Sequence, residues 1–263
     1  MSQPLTMFIA CHRPCPVPAE PCYLPVEVGA ALHPAPIPGF TPDNTGDNIS
    51  CKNEQYCELT ALYWAWKNAD ADYIGLVHYR RYFSDGKWWR PKSARILTAA
   101  ALARALEKCD ILLPRPRRYW IETNYSHYAH AHHAADLDAA REILKERHPA
   151  YVAAFDAVMK RTWGHRFNML VMGREKLDAY CTWLFDVLFT LEERLDVSAY
   201  SPYNRRVFGF VAERLLDVWL ETNGYPCREL PYVFTEKQNW LKKGGAFVLR
   251  KILRGGKRRD VCR

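Results

Sequence analysis

The residues best suited to bind a charged ligand are two adjacent arginines, Arg80 and Arg81, in the segment His-Tyr-Arg-Arg-Tyr at 78–82. They follow residues 73–77, an almost wholly apolar run whose length is typical of a buried central strand. Ligands of open α/β sheets bind beyond the carboxyl ends of the strands, and guanidinium groups bind phosphate oxygens in bidentate fashion. The pattern therefore predicts a diphosphate site, although a solvated or salt-bridged turn would explain the same residues.

A second candidate anion site is the turn-rich segment at residues 43–53, which leads into a helical pattern. The turn at Gly46 and the start of the following helix present backbone N–H groups, which suit an anion. Asp47 and Asn48 could hold the hydroxyl groups of a ribose or another sugar, and Lys52 adds a positive charge. Helix capping alone would explain the same residue types.

Asp70 and Asp72 form an Asp-X-Asp pair, which is one way to hold a divalent metal against a diphosphate. The pair precedes the strand predicted at 73–77, so it lies at the amino end, away from the edge where ligands bind. A helix-to-strand turn is the better interpretation. We expect Arg80 and Arg81 to neutralise a diphosphate without a metal, so no cofactor is predicted, and Mn²⁺ or Mg²⁺ is the less favoured alternative.

Two further segments carry groups that could act on an acceptor. Residues 127–136 contain four histidines and Asp136, but His132 and His133 are neighbours that point to different faces of a helix. Because no His-Glu-X-X-His order occurs, a ligand-binding face is favoured over a zinc site.

Glu213 falls in the first turns of a predicted aromatic-rich helix, where a carboxylate could deprotonate a hydroxyl group, and Asp136 is the second candidate base. An ion pair of Glu213 with Arg206 or Arg214 would explain this glutamate equally well.

Strand patterns alternate with helical patterns along most of the chain. The predicted strands are residues 5–10, 23–28, 73–77, 111–113 and 168–172. The predicted helices are residues 54–68, 98–108, 127–147, 150–161, 176–195 and 207–223. This alternation predicts an α/β fold with a mostly parallel central sheet flanked by helices and a helical C-terminal part.

The net charge of +8 is concentrated near the C-terminus. Residues 237–263 contain ten Lys or Arg and one acid, whereas residues 1–236 contain 27 basic and 28 acidic residues. This distribution indicates a local anionic partner rather than a nucleic acid. We expect a main domain at 1–235 and a basic tail at 236–263, which would lie on anionic lipid as a short interfacial helix; a disordered tail would have the same composition.

Several classes of protein are disfavoured by what the sequence lacks. No apolar run of about 18 residues and no signal-peptide pattern occurs, which predicts a cytoplasmic protein. The nine cysteines include no Cys-X-X-Cys pair, which favours reduced, structural thiols. The absence of a P-loop, Gly-X-Gly-X-X-Gly and Gly-X-Ser-X-Gly argues against kinases, dehydrogenases and hydrolases.

Several of these segments together resemble a bacterial family long labelled as a domain of unknown function and found in capsular and exopolysaccharide gene clusters. The segments that carry the resemblance are residues 43–50 with Lys52 and Asn53, 56–68, 75–83, 167–169, 180–185, and 206–210 with Glu213, Arg214 and Leu215. The resemblance covers residues 5–235. One departure is Cys-His-Arg at 11–13, where the family pattern has Thr-His-Lys.

The resemblance implies a glycosyltransferase with a GT-A-like sheet that uses a nucleotide-diphosphate sugar, most simply a UDP-sugar, and some members are linked to galactofuranose transfer. It implies a lipid-linked or growing glycan as acceptor and a location at the inner face of the bacterial membrane. The residues that we expect to bind the donor are His12, Asp47, Asn48, Lys52, His78, Tyr79, Arg80 and Arg81. The residues that we expect to bind the acceptor are His132, His133, Asn168 and Arg206. A sugar-phosphate transferase and a non-catalytic carbohydrate-binding assembly protein are the alternatives.

Overall fold

Strands and helices alternate through residues 3–236, the part of the chain that the computed structural model describes. The strands are β1 (Gln3–Cys11), β2 (Tyr23–Glu27), β3 (Thr41–Pro42), β4 (Ala71–His78), β5 (Arg81–Phe83), β6 (Ile111–Pro114), β7 (Arg117–Arg118), β8 (Trp163–Gly164), β9 (Leu170–Gly173), β10 (Arg228–Leu230) and β11 (Tyr232–Phe234). The helices are α1 (Asn53–Tyr56), α2 (Leu59–Asn68), α3 (Ala99–Leu106), α4 (Asn124–Ala131), α5 (Ala134–Arg147), α6 (Val152–Lys160), α7 (Arg174–Arg194) and α8 (Val207–Asn223).

The main sheet has the spatial order β10-β6-β9-β4-β1-β2-β3. Neighbouring strands among β4, β1, β2 and β3 are parallel, as are β6 and β10, whereas β9 runs antiparallel between β4 and β6. At the carboxyl end of β4, the short strands β5 and β11 form an antiparallel pair. The prediction of an α/β fold with a mostly parallel central sheet flanked by helices is confirmed.

The central strands are buried on both faces, as their nearly continuous apolar sequence predicts. On β1, Phe8 and Ala10 face a core built largely with α2, α5, α6, α7 and α8. The alternate residues Met7 and Ile9 face a second core that includes α3. Because both faces are packed, the chain that leaves the carboxyl ends of β1 and β4 starts from a fixed position.

Two helical regions that the sequence predicts are interrupted. The helix predicted at 54–68 breaks at Cys57, where a φ of +53° places the backbone outside the helical region and separates α1 from α2. The prediction of one helix there is wrong, because helical periodicity does not register a single residue that changes the chain direction. Residues 127–147 are mostly helical, as predicted, with a break at His132 and His133, whose backbones are extended.

Within residues 3–236, no helix combines the length and the apolarity that crossing a membrane requires. The predicted basic tail lies outside the described residues except for Glu236. Its contact with lipid and the division of the chain at residue 235 therefore stay predictions.

Gly75 lies in the middle of β4, where close packing leaves no room for a side chain. A Cβ added there would come within 2.3 Å of Met7 Sδ and 3.2 Å of Val171 Cγ2. We expect Gly75→Ala to lower the free energy of unfolding by about 1–3 kcal/mol, as overpacking does in other cores, measured by denaturant titration. Gly173→Ala is the control, because its Cβ would meet Tyr73 at an ordinary 3.4 Å. Equal stability of the two variants would contradict this account of the packing.

Candidate functional site

A cleft of about 820 Å³ opens where β1 and β4 end, at the carboxyl edge of the sheet. Its walls include residues of α1, β7, α4 and α8. Among the described residues, seven arginines but only three glutamates line it: Arg80, Arg81, Arg117, Arg166, Arg205, Arg206 and Arg214, with Glu54, Glu58 and Glu213. This excess of positive charge in a concave site attracts an anionic ligand.

His78, the last residue of β4, is a neutral imidazole in the floor of the cleft. Burial, followed by the nearby Arg81 guanidinium, lowers the pKa of His78 to about 3. Its Nε2 lies 2.5 Å from the carbonyl oxygen of Phe167, and its Nδ1 lies 3.5 Å from Arg81 Nη1. Because a carbonyl can only accept, Nε2 carries the proton and Nδ1 is left as an acceptor.

A left-handed turn at Phe167 and Asn168 joins the floor of the cleft to two of its three carboxylates, those of Glu58 and Glu213. The two residues have φ values of +77° and +51°, which are uncommon for residues other than glycine. The Phe167 N–H donates to Glu213 Oε1 at 2.9 Å, and Asn168 Nδ2 donates to Glu58 Oε1 at 2.7 Å. Asn168 was expected to bind an acceptor, but the structure gives it contacts that position Glu58 instead.

Glu58 is a site residue that the sequence reasoning missed. Burial raises the pKa of its carboxyl group, and the Asn168 side chain and the guanidinium groups of Arg206 and Arg81 oppose that rise. Its Oε1 also lies 4.0 Å from His78 Nε2. The sequence offers one signal for Glu58, which is an acidic residue within the largely apolar segment 56–68. The prediction of one helix over that segment gave no reason to place this side chain at the strand end.

The two adjacent arginines have different surroundings. Arg80 is partly exposed, and its Nη1 lies 3.7 Å from Glu236 Oε2. Arg81 is half-buried with its guanidinium 4.4 Å from the centre of the Phe167 ring, and its buried Nε has no hydrogen-bond partner among the described residues. Arg80 is therefore held by a carboxylate, whereas Arg81 keeps an unused donor beside the cleft.

His12 and Arg206 approach the same region from two other elements. Burial lowers the pKa of His12, and the guanidinium groups of Arg13, Arg80 and Arg206 lower it further. The His12 ring contacts the ring of Tyr79 edge to face, with centroids 4.8 Å apart. Arg206 Nε donates to Cys57 Sγ at 3.0 Å. The structure thus brings His12 and Arg206 together with Arg80, although Arg206 was assigned to the acceptor.

Glu213 lines the cleft at the start of α8, as the sequence predicts. Its Oε2 pairs with Arg214 Nη1 at 3.0 Å, so the alternative of a structural ion pair with Arg214 is also present. Arg214 is buried, and its Nε has no hydrogen-bond partner among residues 3–236. One carboxylate therefore both faces the cleft and stabilises a buried guanidinium.

The turn that was expected to bind the donor does not line the cleft. Asp47 Oδ1 accepts from Tyr63 Oη at 3.1 Å, and its backbone bonds with Asn68 at the end of α2. Asn48 Oδ1 accepts from the backbone N–H of Ser50 at 3.1 Å. These contacts hold the turn against α2, which runs from the cleft toward the amino end of β4. The turn therefore lies near that end and away from the cleft.

Lys52 also lies outside the cleft, since its Nζ pairs with Glu192 at 2.6 Å. Asp70 and Asp72 lie at the amino end of β4, as predicted. Among residues 3–236, no group of three or more His, Cys, Asp or Glu side chains is arranged to hold a metal ion.

The second candidate base and the histidine pair separate in the structure. Asp136 is 1% exposed, and its two oxygens accept from Tyr128 Oη at 2.8 Å and Tyr200 Oη at 2.7 Å. Asp136 and His133 do not line the cleft, whereas His132 does. Burial lowers the pKa of His132 to about 4. This placement favours Glu213 over Asp136 as the group that meets a ligand.

The fold and the cleft define an α/β protein with an anion-attracting site at the carboxyl edge of a mostly parallel sheet. Residues 6–224 match the family described as Domain of unknown function (DUF4422), and the chain belongs to this family. No curated protein matches the sequence.

The chain is also similar to a solved structure, the apo structure of WbbM, a bifunctional glycosyltransferase. The two are 30% identical with a TM-score of 0.82, and the match covers 89% of this chain and 45% of that chain. This likeness confirms a GT-A-like fold and relates the family to glycosyltransferases. The chain spans less than half the length of the WbbM chain.

The neutral state of buried His78 makes folding depend on pH. The unfolded histidine binds a proton near its usual pKa of about 6.5, whereas the folded one does so only near pH 3. Stability is therefore complete above pH 6.5 and is lost as the pH falls. Between pH 7.5 and 5.5 we expect wild type to lose about 1 kcal/mol more unfolding free energy than His78→Gln, measured by urea titration at each pH. Equal losses would show that His78 does not titrate this way.

Proposed function

We propose that the chain is a glycosyltransferase that moves a sugar from a nucleotide-diphosphate donor to a glycan acceptor. The observation that carries the proposal is the arginine-lined cleft at the carboxyl ends of β1 and β4, with Glu58 and Glu213 in its walls. A likeness to WbbM, a bifunctional glycosyltransferase, supports the same reaction class. Because the chain matches only 45% of that protein, it would perform one part of such a protein's work.

The donor diphosphate would lie against His12, Arg80, Arg81 and Arg206. Fixed guanidinium groups stabilise the charge that grows on a departing nucleoside diphosphate, and they need no reorganisation during the reaction. The Nε of Arg81 has no hydrogen-bond partner among the described residues. Arg206 donates a hydrogen bond to the Cys57 thiol, which carries no negative charge to neutralise the guanidinium. These groups would act where a divalent metal acts in other transferases, so we propose that no metal is required.

Glu213 would remove the proton from the acceptor hydroxyl as that oxygen attacks the sugar. The Phe167 N–H fixes one carboxylate oxygen, and the other is beside Arg214. Glu58 lies in the same cleft with its pKa raised by burial. The acceptor would lie between Glu213 and the ring of His132, which packs against Tyr203 and Phe210.

In the cell, the reaction would contribute to a capsular polysaccharide, an exopolysaccharide or an O-antigen. We propose a UDP-sugar as the donor, with galactofuranose or another hexose as the transferred unit, and a lipid-linked or growing glycan as the acceptor. The domain at 1–235 would act at the inner face of the bacterial membrane, where the basic tail at 236–263 would contact anionic lipid.

Removal of Arg80 tests the diphosphate site. A charge-assisted hydrogen bond contributes about 1.5–3 kcal/mol, so Arg80→Ala should weaken binding of UDP or the matching UDP-sugar by roughly 10- to 100-fold in calorimetric titration. Arg13→Ala is the matched control, because Arg13 pairs with the same Glu236 at 2.6 Å but does not line the cleft. Unchanged donor affinity in Arg80→Ala would show that the diphosphate binds elsewhere.

Three further results would contradict the proposed function. Transfer that stops with a chelator and returns with Mn²⁺ would show that a metal supplies the charge assigned to the arginines. A phosphodiester in the product would identify a sugar-phosphate transferase. Failure of every nucleotide sugar in a panel to bind would favour a non-catalytic glycan-binding protein.

Removal of the proposed base tests the second step. Glu213→Gln keeps the size of the side chain and should lower kcat by about 10²- to 10⁴-fold, with little change in donor affinity, because the amide cannot accept the proton. Asp136→Asn is the control and should keep kcat within about threefold of wild type, since Asp136 does not line the cleft. A large loss in Asp136→Asn alone, with the fold intact, would assign the base to Asp136.

A further inference from the structure

Two neighbouring tryptophans project from the surface in the segment at 85–95, which we call the tryptophan loop. Trp88 is 76% exposed and Trp89 is 67% exposed, and their rings contact edge to face with centroids 6.1 Å apart. Such large apolar side chains are rarely left in water side by side, and exposed apolar patches usually mark a binding surface.

The tryptophan loop is held in shape by its own hydrogen bonds. Its base is closed by the Asp85 N–H, which donates to the Arg95 carbonyl at 2.9 Å. The Asp85 carboxylate accepts from the Lys87 N–H at 2.9 Å and from Arg90 Nη1 at 2.7 Å. Arg95 donates from its guanidinium to the carbonyls of Arg90 and Trp88. The tryptophans are therefore presented by an ordered loop, which lowers the entropy that a partner must remove on binding.

The charge of the loop restricts the kind of partner. Residues 85–95 contain four basic residues and one acid, namely Lys87, Arg90, Lys92 and Arg95 with Asp85, for a net charge of +3. Tryptophan favours the boundary between lipid and water, where its ring is buried and its N–H stays hydrated. Lysine and arginine beside it are attracted to anionic lipid headgroups. Aromatic and basic residues together fit an anionic bilayer.

The loop also lies close to the mouth of the cleft. It follows β5, which begins at Arg81, and Lys92 Nζ donates to the carbonyl of Glu236 at 2.8 Å. The Glu236 carboxylate pairs with Arg80 in the cleft. A bilayer that touched the tryptophan loop would therefore lie beside the proposed diphosphate site.

We propose that the tryptophan loop docks on the surface of an anionic bilayer, with Trp88 and Trp89 entering the interfacial region and the net positive charge of the loop attracting the headgroups. This contact is separate from the basic tail, and it does not depend on sugar transfer. It sets the open side of the cleft against the lipid surface.

The test is sedimentation of the full chain with vesicles of phosphatidylglycerol and phosphatidylcholine, compared with phosphatidylcholine alone. We expect the double variant Trp88→Ser/Trp89→Ser to bind the anionic vesicles at least about tenfold more weakly than wild type, because two apolar side chains no longer leave water. Binding should also fall as salt is raised. Leu32→Ser is the control, since Leu32 is 48% exposed in a segment, 28–51, that has no Lys or Arg.

Other outcomes would overturn the proposal. Wild-type binding by the double variant would assign all lipid contact to another segment, and a loss of binding in Trp120→Ser alone would assign it to that exposed side chain. No binding of wild type to either vesicle would favour a protein partner. Donor affinity in solution should be unchanged in the double variant, so a failure of lipid docking is distinguishable from a failure of the proposed transferase activity.

Discussion

The cleft depends on one strained turn, in which Phe167 and Asn168 both adopt left-handed backbone conformations. This turn comes just before β9, which runs antiparallel between β4 and β6. The start of β9 therefore lies beside the end of β4, and so does the turn. Through two backbone groups and one side chain, it fixes His78, Glu213 and Glu58 relative to one another. Backbone strain of this kind persists where the surrounding structure enforces it, and it is common at functional sites.

Electrostatics explains why such a turn is useful. Seven arginines around one concave site repel one another, and burial removes two of them, Arg166 and Arg214, from water. The protein compensates in part with carboxylate partners, Glu213 for Arg214 and Asp217 for Arg166. The remaining positive charge can attract an anionic ligand, and the neutral His78 adds none to it.

The sequence predicts the main sheet because continuous apolar runs mark its buried strands. It also predicts the part of the cleft at the strand ends, because ligand-binding residues directly follow such strands. Arg80, Arg81 and His12 come after β4 and β1, and strand direction alone brings them to one edge. Asp47 and Asn48 do not lie at that edge, because their turn packs against the end of α2 that is far from the cleft. Glu58 was missed because a single left-handed residue, Cys57, turns it into the cleft, and no periodicity reveals such a turn.

The contact between Arg80 and Glu236 has a consequence for selectivity. The Glu236 carboxylate lies 3.7 Å from this guanidinium and 2.6 Å from Arg13, so an incoming anion competes with it for Arg80. A ligand with a single negative charge would only substitute for the Glu236 carboxylate, so we expect it to gain little binding free energy. A ligand with two linked charges could contact Arg80 and Arg81 together, so we expect this competition to favour dianions over monoanions.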